Sequence, residues 1–193
     1  FAYPLGVKSF SNPLLLRMFA DIMISDPNVR FEEQNLYELY DHFMQTMSRK
    51  AIEDKSNASY EHLNRFYQSL AFQKNPIPDL RSNSVILPSL KNIDIPSSDI
   101  YSKYGIVYSK GNDFHFNHRT FAEFFIAKFI CEVVFQGKNQ ESFDETLRAF
   151  IAILENFEMF RFGNVLISLI DGALERCHFE SMYNLKTVRE SYN

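Results

Sequence analysis

Apolar residues recur at helical spacing over most of this chain and give way to strand-like alternation at one place. Pro13 follows Ser11-Asn12, which are natural helix caps, and proline at the first helical position loses nothing by lacking an N–H. The run Leu14-Leu15-Leu16-Arg17-Met18-Phe19-Ala20-Asp21-Ile22-Met23 then predicts a helix, apolar on most sides and therefore buried, that ends before Asp26-Pro27. Leu36, Leu39, Tyr40, Phe43, Met47 and Ala51 share one face of a second helix that starts near Asn35. Leu63, Phe66, Leu70 and Ala71 do the same for a third, from about Ser59 to Gln73. Lys74-Asn75-Pro76-Ile77-Pro78-Asp79 breaks it. Val85-Ile86-Leu87 reads as a brief strand within an otherwise mixed stretch.

The alternating segment is a hairpin. Gly105-Ile106-Val107-Tyr108 is strand-like, Ser109-Lys110-Gly111-Asn112-Asp113 has turn chemistry, and Phe114 to His118 is the return strand. The strand stops at His118 and turns directly into a helix over about 121–135. Thr120 and Glu123 have the spacing of a capping box, in which each side chain satisfies a free backbone N–H. The helix is too apolar to lie on a surface, and Gly137 is its expected C-terminal cap. A second capping box, Ser142-Phe143-Asp144-Glu145, opens a helix carrying Leu147, Phe150, Ile151 and Leu154. Further helices are expected from about Phe160 to Arg176 and from Glu180 to Arg189. The fold class is therefore mainly α, with one small β-hairpin set among helices.

Composition adds an aromatic bias: 20 Phe and 10 Tyr with no Trp in 193 residues, enough rings for substantial cores. The formal net charge of −4 argues against nucleic-acid binding through bulk charge. A helix–hairpin–helix order also suits a winged-helix DNA binder, but no Arg/Lys-rich helix accompanies it. No stretch approaches the apolar length of a membrane span, so no membrane partner is expected. The two cysteines, Cys131 and Cys177, are no disulfide framework and fit a reducing, cytoplasmic setting. The chain opens on Phe1-Ala2-Tyr3-Pro4, without Met and in mid-pattern, as expected of a piece of a longer protein.

Enzymatic chemistry is not expected. Val165-Leu166-Ile167-Ser168-Leu169-Ile170-Asp171-Gly172 imitates a Walker B strand, yet Asn164, Ser168, Asp171 and Glu175 form the polar stripe of a helix. No G-x-x-x-x-G-K-[ST] loop exists to cradle phosphates. His115 and His118, three apart on a strand, point to opposite faces and make a poor metal pair; His115 reads as a half-exposed strand residue. Cys177-His178 lacks an orienting carboxylate. Asn57-Ala58-Ser59 matches a glycosylation triplet with no secretory context.

Two motifs resemble one family. Asn12-Pro13-Leu14-Leu15-Leu16 is followed by Leu36-Tyr37-Glu38-Leu39-Tyr40, and later by Phe114-His115-Phe116-Asn117-His118-Arg119-Thr120-Phe121-Ala122-Glu123-Phe124-Phe125-Ile126-Ala127. Together they look like the region after the nucleotide-binding core of NACHT proteins, the signal-transduction NTPases that include the NOD-like receptors. The resemblance implies that residues 1–55 end a first helical domain, 56–136 form a winged-helix-like domain and 137–193 begin a second helical domain. It implies a segment that closes over ADP held by an upstream NTPase core of the same polypeptide, with a downstream repeat or sensor domain and self-oligomerisation on activation. Carried over by motif, Pro13 would lie against the adenine and His118 would reach the β-phosphate. The P-loop and the Mg²⁺-binding acid are missing, so ADP or ATP would be held by the parent protein and by this chain alone not at all. Two alternatives stand beside this. One is a helical protein-interaction module that never touches nucleotide. The other concerns His118, which at such a junction also serves simply to satisfy local backbone carbonyls.

Overall fold

The computed structural model describes residues 12–31, 34–53, 59–75, 102, 105–111, 113–136 and 165–176. Within them the protein is mainly helical with one two-stranded antiparallel hairpin. The order is α1 (Pro13–Ser25), α2 (Leu36–Glu53), α3 (Tyr60–Lys74), β1 (Val107–Lys110), β2 (Asp113–Phe116), α4 (Arg119–Gln136) and α5 (165–176). The expected strand at Val85–Leu87, the Gly137 cap, the helices from Ser142 and from Glu180, Cys177-His178 and Asn57 lie outside the described residues.

Helix starts follow local side-chain chemistry. The Asn12 side chain accepts the N–H groups of Leu14 and Leu15 at 3.0 and 3.5 Å, with Pro13 at the first helical position. At α2 the chain builds a reciprocal cap: the Asn35 N–H donates to Glu38 Oε2 at 2.9 Å, and the Glu38 N–H to Asn35 Oδ1 at 3.0 Å. The Ser59 hydroxyl oxygen accepts the His62 N–H at 3.1 Å to open α3.

Helix α4 is the centre of the molecule. Every residue from Phe121 to Cys131 is buried, as its apolar sequence on all sides requires. Tyr40 and Phe43 of α2 pack on Phe121 with ring centroids 5.6 and 6.0 Å apart. From α3, Tyr67 meets Phe125 at 5.0 Å and Phe72 meets Phe129 at 4.9 Å. The hairpin leans on both helices: Phe114 sits edge-on to Phe66 at 5.4 Å, Phe116 stacks on Phe125 at 6.0 Å, and Lys74 pairs with Asp113. One continuous hydrophobic cluster joins residues of all five helices and β1.

Three expectations need correcting. Helix α1 is buried on one face only: Leu15, Met18, Phe19 and Ile22 point inward, while Leu16, Met23 and Ile24 are exposed, the last by 77%. Its apolar outer face has no cover among the described residues. The hairpin strands run further into the expected turn, to the pair Lys110–Asp113, and the return strand ends at Phe116, two residues before His118. Finally, α4 starts at Arg119, so Thr120 lies inside its first turn, not at the cap.

The Walker-B-like stretch is helical, as its polar stripe predicts, with Leu166, Leu169, Ile170 and Ala173 buried. Gly172 carries this docking. A Cβ there would fall 2.7 Å from Asn35 Oδ1 and 3.1 Å from Tyr37 Cβ. Asn35 has no freedom to retreat, because its side chain both caps α2 and donates to the Gly172 carbonyl at 3.3 Å. Gly172→Ala should therefore destabilise the protein by about 1–3 kcal/mol from overpacking, despite alanine's better helix propensity of about 1 kcal/mol. Thermal unfolding measures this, and a raised midpoint would show that α5 is not seated on Asn35.

Candidate functional site

His118 occupies the bend between β2 and α4 and is exposed. The hairpin delivers it there: the Asn117 N–H donates to the Ile106 carbonyl at 2.9 Å, continuing the strand pairing up to the bend. The His118 carbonyl then accepts the Phe121 N–H at 3.1 Å, and its Nδ1 accepts the Thr120 N–H at 3.3 Å. His118 is thus itself the cap of α4. It takes up a backbone N–H through its ring nitrogen, where the local alternative had it satisfying carbonyls.

Thr120 serves as a bridge. Its hydroxyl lies 2.8 Å from His118 Nδ1 and 2.5 Å from the Tyr40 hydroxyl of α2. Glu123, the other half of the expected capping box, forms an ion pair with Arg119 at 2.9 Å. Of the clamp expected from Thr120 and Glu123, Thr120 holds His118, whereas Glu123 turns to Arg119 instead of completing a capping box.

Pro13 is exposed at the start of α1. One turn further along the same face, the Arg17 guanidinium lies against Gly105, where an added Cβ would come within 2.8 Å of it. Gly105 has a φ of +71°, a conformation side chains disfavour, so the close approach depends on glycine twice over. The contacts run Arg17, Gly105, Ile106, Asn117, His118. They tie the first turns of α1 to the His118 bend through the start of the hairpin. His115, on β2, stacks on Tyr108 at 5.4 Å and faces Asp113 at 3.4 Å, with its side chain 36% exposed, the half-exposed strand position expected of it.

A second polar centre escaped the sequence reading. Asp41 of α2, 3% exposed, pairs with Lys128 of α4, 6% exposed. Its Oδ1 also accepts from the Tyr60 hydroxyl at 3.0 Å, and its Oδ2 from Gln45 at 2.9 Å and Arg176 at 2.6 Å. Lys128 Nζ in turn donates to the Tyr60 oxygen at 2.9 Å. Four helices meet at one carboxylate. The available signal was Lys128 itself: a lone ammonium in the middle of a buried apolar run demands a counter-charge. Beside Asp41 opens a cavity of about 380 Å³ lined by Arg30, Gln34, His42 and Arg176, among others. Burial, with Arg49 nearby, lowers the His42 pKa and keeps the ring neutral more readily. Neither Pro13 nor His118 lines this cavity.

Comparison with protein-family models, with curated proteins and with solved structures returned no match to this chain.

Charge at the Asp41 centre is self-consistent. Burial pushes the Asp41 carboxyl up, but Lys128 and Arg176 outweigh it and hold it below the ordinary value. Burial pulls Lys128 down, and Asp41 together with Tyr37 and Tyr60 more than reverses this, so the ammonium is held above its ordinary value. The stabilisation from Asp41 is therefore whole above about pH 4, the ordinary carboxylate value, and is lost as pH falls through the lower folded value. That from Lys128 is whole below about pH 10 and is lost as pH rises through its folded value. Lys128→Met should cost about 3–5 kcal/mol at neutral pH and shrink the acid loss, since Asp41 is then less depressed. Denaturant titrations across pH measure both, and an unchanged acid limb would refute the coupling.

Proposed function

We propose that this chain is a regulatory, nucleotide-sensing segment of a NACHT-type molecular switch, closing over ADP held by an NTPase core elsewhere in the same polypeptide. The observation that carries the reading is the state of His118. Its Nδ1 is committed to Thr120, its ring is exposed, and its Nε2 is left to meet a ligand. A neutral imidazole offers one N–H there to a phosphate oxygen, and a protonated one adds charge.

Further features support it. Pro13 and His118 both stand at helix starts, joined through Arg17 and Gly105. The N-terminal end of α4 adds partial positive charge beside His118. The domain reading, 1–55, 56–136 and 137–193, belongs to the same proposal, as do a downstream sensor or repeat domain, self-oligomerisation and a cytoplasmic setting. No helix among the described residues is long and apolar enough to cross a membrane.

One observation favours the second reading, a helical interaction module without a nucleotide role. Leu16, Ala20, Met23 and Ile24 make an exposed apolar stripe along α1, larger than a scatter of single surface residues.

The ADP dissociation rate of the full-length protein separates the two. In the switch, His118→Ala releases ADP about tenfold faster, the worth of one hydrogen bond to a charged acceptor. An unchanged off-rate removes the sensing role and leaves the interaction module.

A further inference from the structure

The three-residue chain from Tyr40 to His118 has only one self-consistent direction. The Thr120 N–H points at His118 Nδ1 from 3.3 Å, so Nδ1 bears a lone pair and not a proton. The Thr120 hydroxyl, 2.8 Å from that same nitrogen, must then donate to it. Its proton being spent, Thr120 Oγ1 can only accept from the Tyr40 hydroxyl at 2.5 Å. The order is Tyr40 O–H to Thr120 O–H to His118 Nδ1, which leaves the ring proton on Nε2.

We propose that Tyr40 is a positioning residue for His118: through Thr120 it holds the imidazole in the Nε2–H tautomer, so that the exposed edge presents a donor to an anionic oxygen. This rests on the nucleotide-sensing reading for its purpose, though not for its geometry. Tyr40 is suited to the task. It is 1% exposed, and its ring is held between Phe121 and Phe124 at 5.6 and 5.5 Å, so its hydroxyl has little freedom to turn away. Burial pushes that hydroxyl's pKa up to about 12, with the Thr120 bond pulling the other way, so it remains a donor throughout the physiological range. Successive hydrogen bonds in such a chain reinforce one another.

A consequence follows from where the links sit. Tyr40 belongs to α2, whereas Thr120 and His118 belong to α4 and its cap. The relay exists only while α2 and α4 are docked. A displacement of the hairpin and α4 away from α2 breaks it and frees the Thr120 hydroxyl to turn; Nδ1 is then held only by the longer contact from the Thr120 N–H and competes better for the ring proton. The donor facing the ligand is thereby tied to the closed arrangement of the two helices, and a ligand that needs that donor favours the closed state in return.

The test reads the tautomer directly. Long-range proton–nitrogen correlation spectra of the ¹⁵N-labelled 193-residue chain are recorded at about pH 8.5, two units above the ordinary imidazole value, with His118 assigned from His118→Gln. The expected pattern is an unprotonated Nδ1 and a protonated Nε2. Tyr40→Phe keeps the aromatic packing, and Thr120→Val keeps the shape of the side chain. Both should move the two His118 nitrogen signals toward each other, and Thr120→Ser should restore the original pattern. A protonated Nδ1 in the unmodified chain, or His118 signals that stay in place in Tyr40→Phe, would overturn the relay. No nucleotide is present, so the outcome is separate from that of the ADP measurement. If His118→Ala hastens ADP release while Tyr40→Phe leaves the tautomer alone, the sensor stands and the relay falls.

Discussion

The buried Asp41 carboxylate is the constraint around which this structure is arranged. An ion pair at this depth adds little net stability over an apolar pair of similar volume, because both charges give up their water. Its effect is on geometry. Asp41 can remain ionised only if its donors arrive together, and those donors come from α2 itself, α3, α4 and α5 through Gln45, Tyr60, Lys128 and Arg176. Any packing of these helices that fails to converge there leaves a charge stranded, at several kcal/mol. Aromatic surfaces slide over one another with little penalty; this centre does not.

The aromatic core and the ion cluster divide the work accordingly. Phe121, Phe124 and Phe125 give α4 rings on successive sides, and α2, α3 and the hairpin each engage one or more of them. Burying each ring contributes about 1.5–3 kcal/mol. That drives association of the helices without selecting a register. Lys128, two turns from Thr120 on α4, selects it. Once Lys128 is opposite Asp41, Thr120 lies opposite Tyr40, and Phe124 between them stacks on Tyr40 and meets Tyr37 at a tilt.

This division explains what could be read from the chain alone. Local signals carried the elements: the Asn12-Pro13 start and the helix starts near Asn35 and Ser59 stand where periodicity put them, and α4 is the helix its apolar run predicts, begun two residues early at Arg119. The polar stripe through Ser168, Asp171 and Glu175 rightly read as helix and not strand. Tertiary partners were not legible. Nothing next to Lys128 in sequence announces Asp41, 87 residues away. Likewise Glu123 has the spacing of a capping partner, but His118 accepts the N–H from α4's first turn and Arg119 takes the carboxylate. The outer face of α1 erred for a related reason: an apolar sequence says that a surface seeks cover, and not which element supplies it. As for the candidate site, His118 and Pro13 were visible through a motif, whereas Tyr40 was visible only as one more aromatic on a helical face.

Tyr40 and Asp41 are neighbours in sequence and reach α4 at two different levels, one through Thr120 and the other through Lys128. Between them lies the aromatic contact of Phe124 with Tyr37 and Tyr40. A rigid-body parting of α2 and α4 therefore breaks a neutral hydrogen bond near the surface and an ion pair in the interior in one movement. The two losses differ in kind. The interior pair opposes the parting, because it strands a buried charge unless water enters. The proposed outer relay adds little resistance but reports the parting, because the Thr120 hydroxyl is no longer obliged to aim its proton at His118 Nδ1. The same pair of adjacent residues thus joins a lock to a readout, and the exposed imidazole at the end of α4 registers whether the helices behind it are closed.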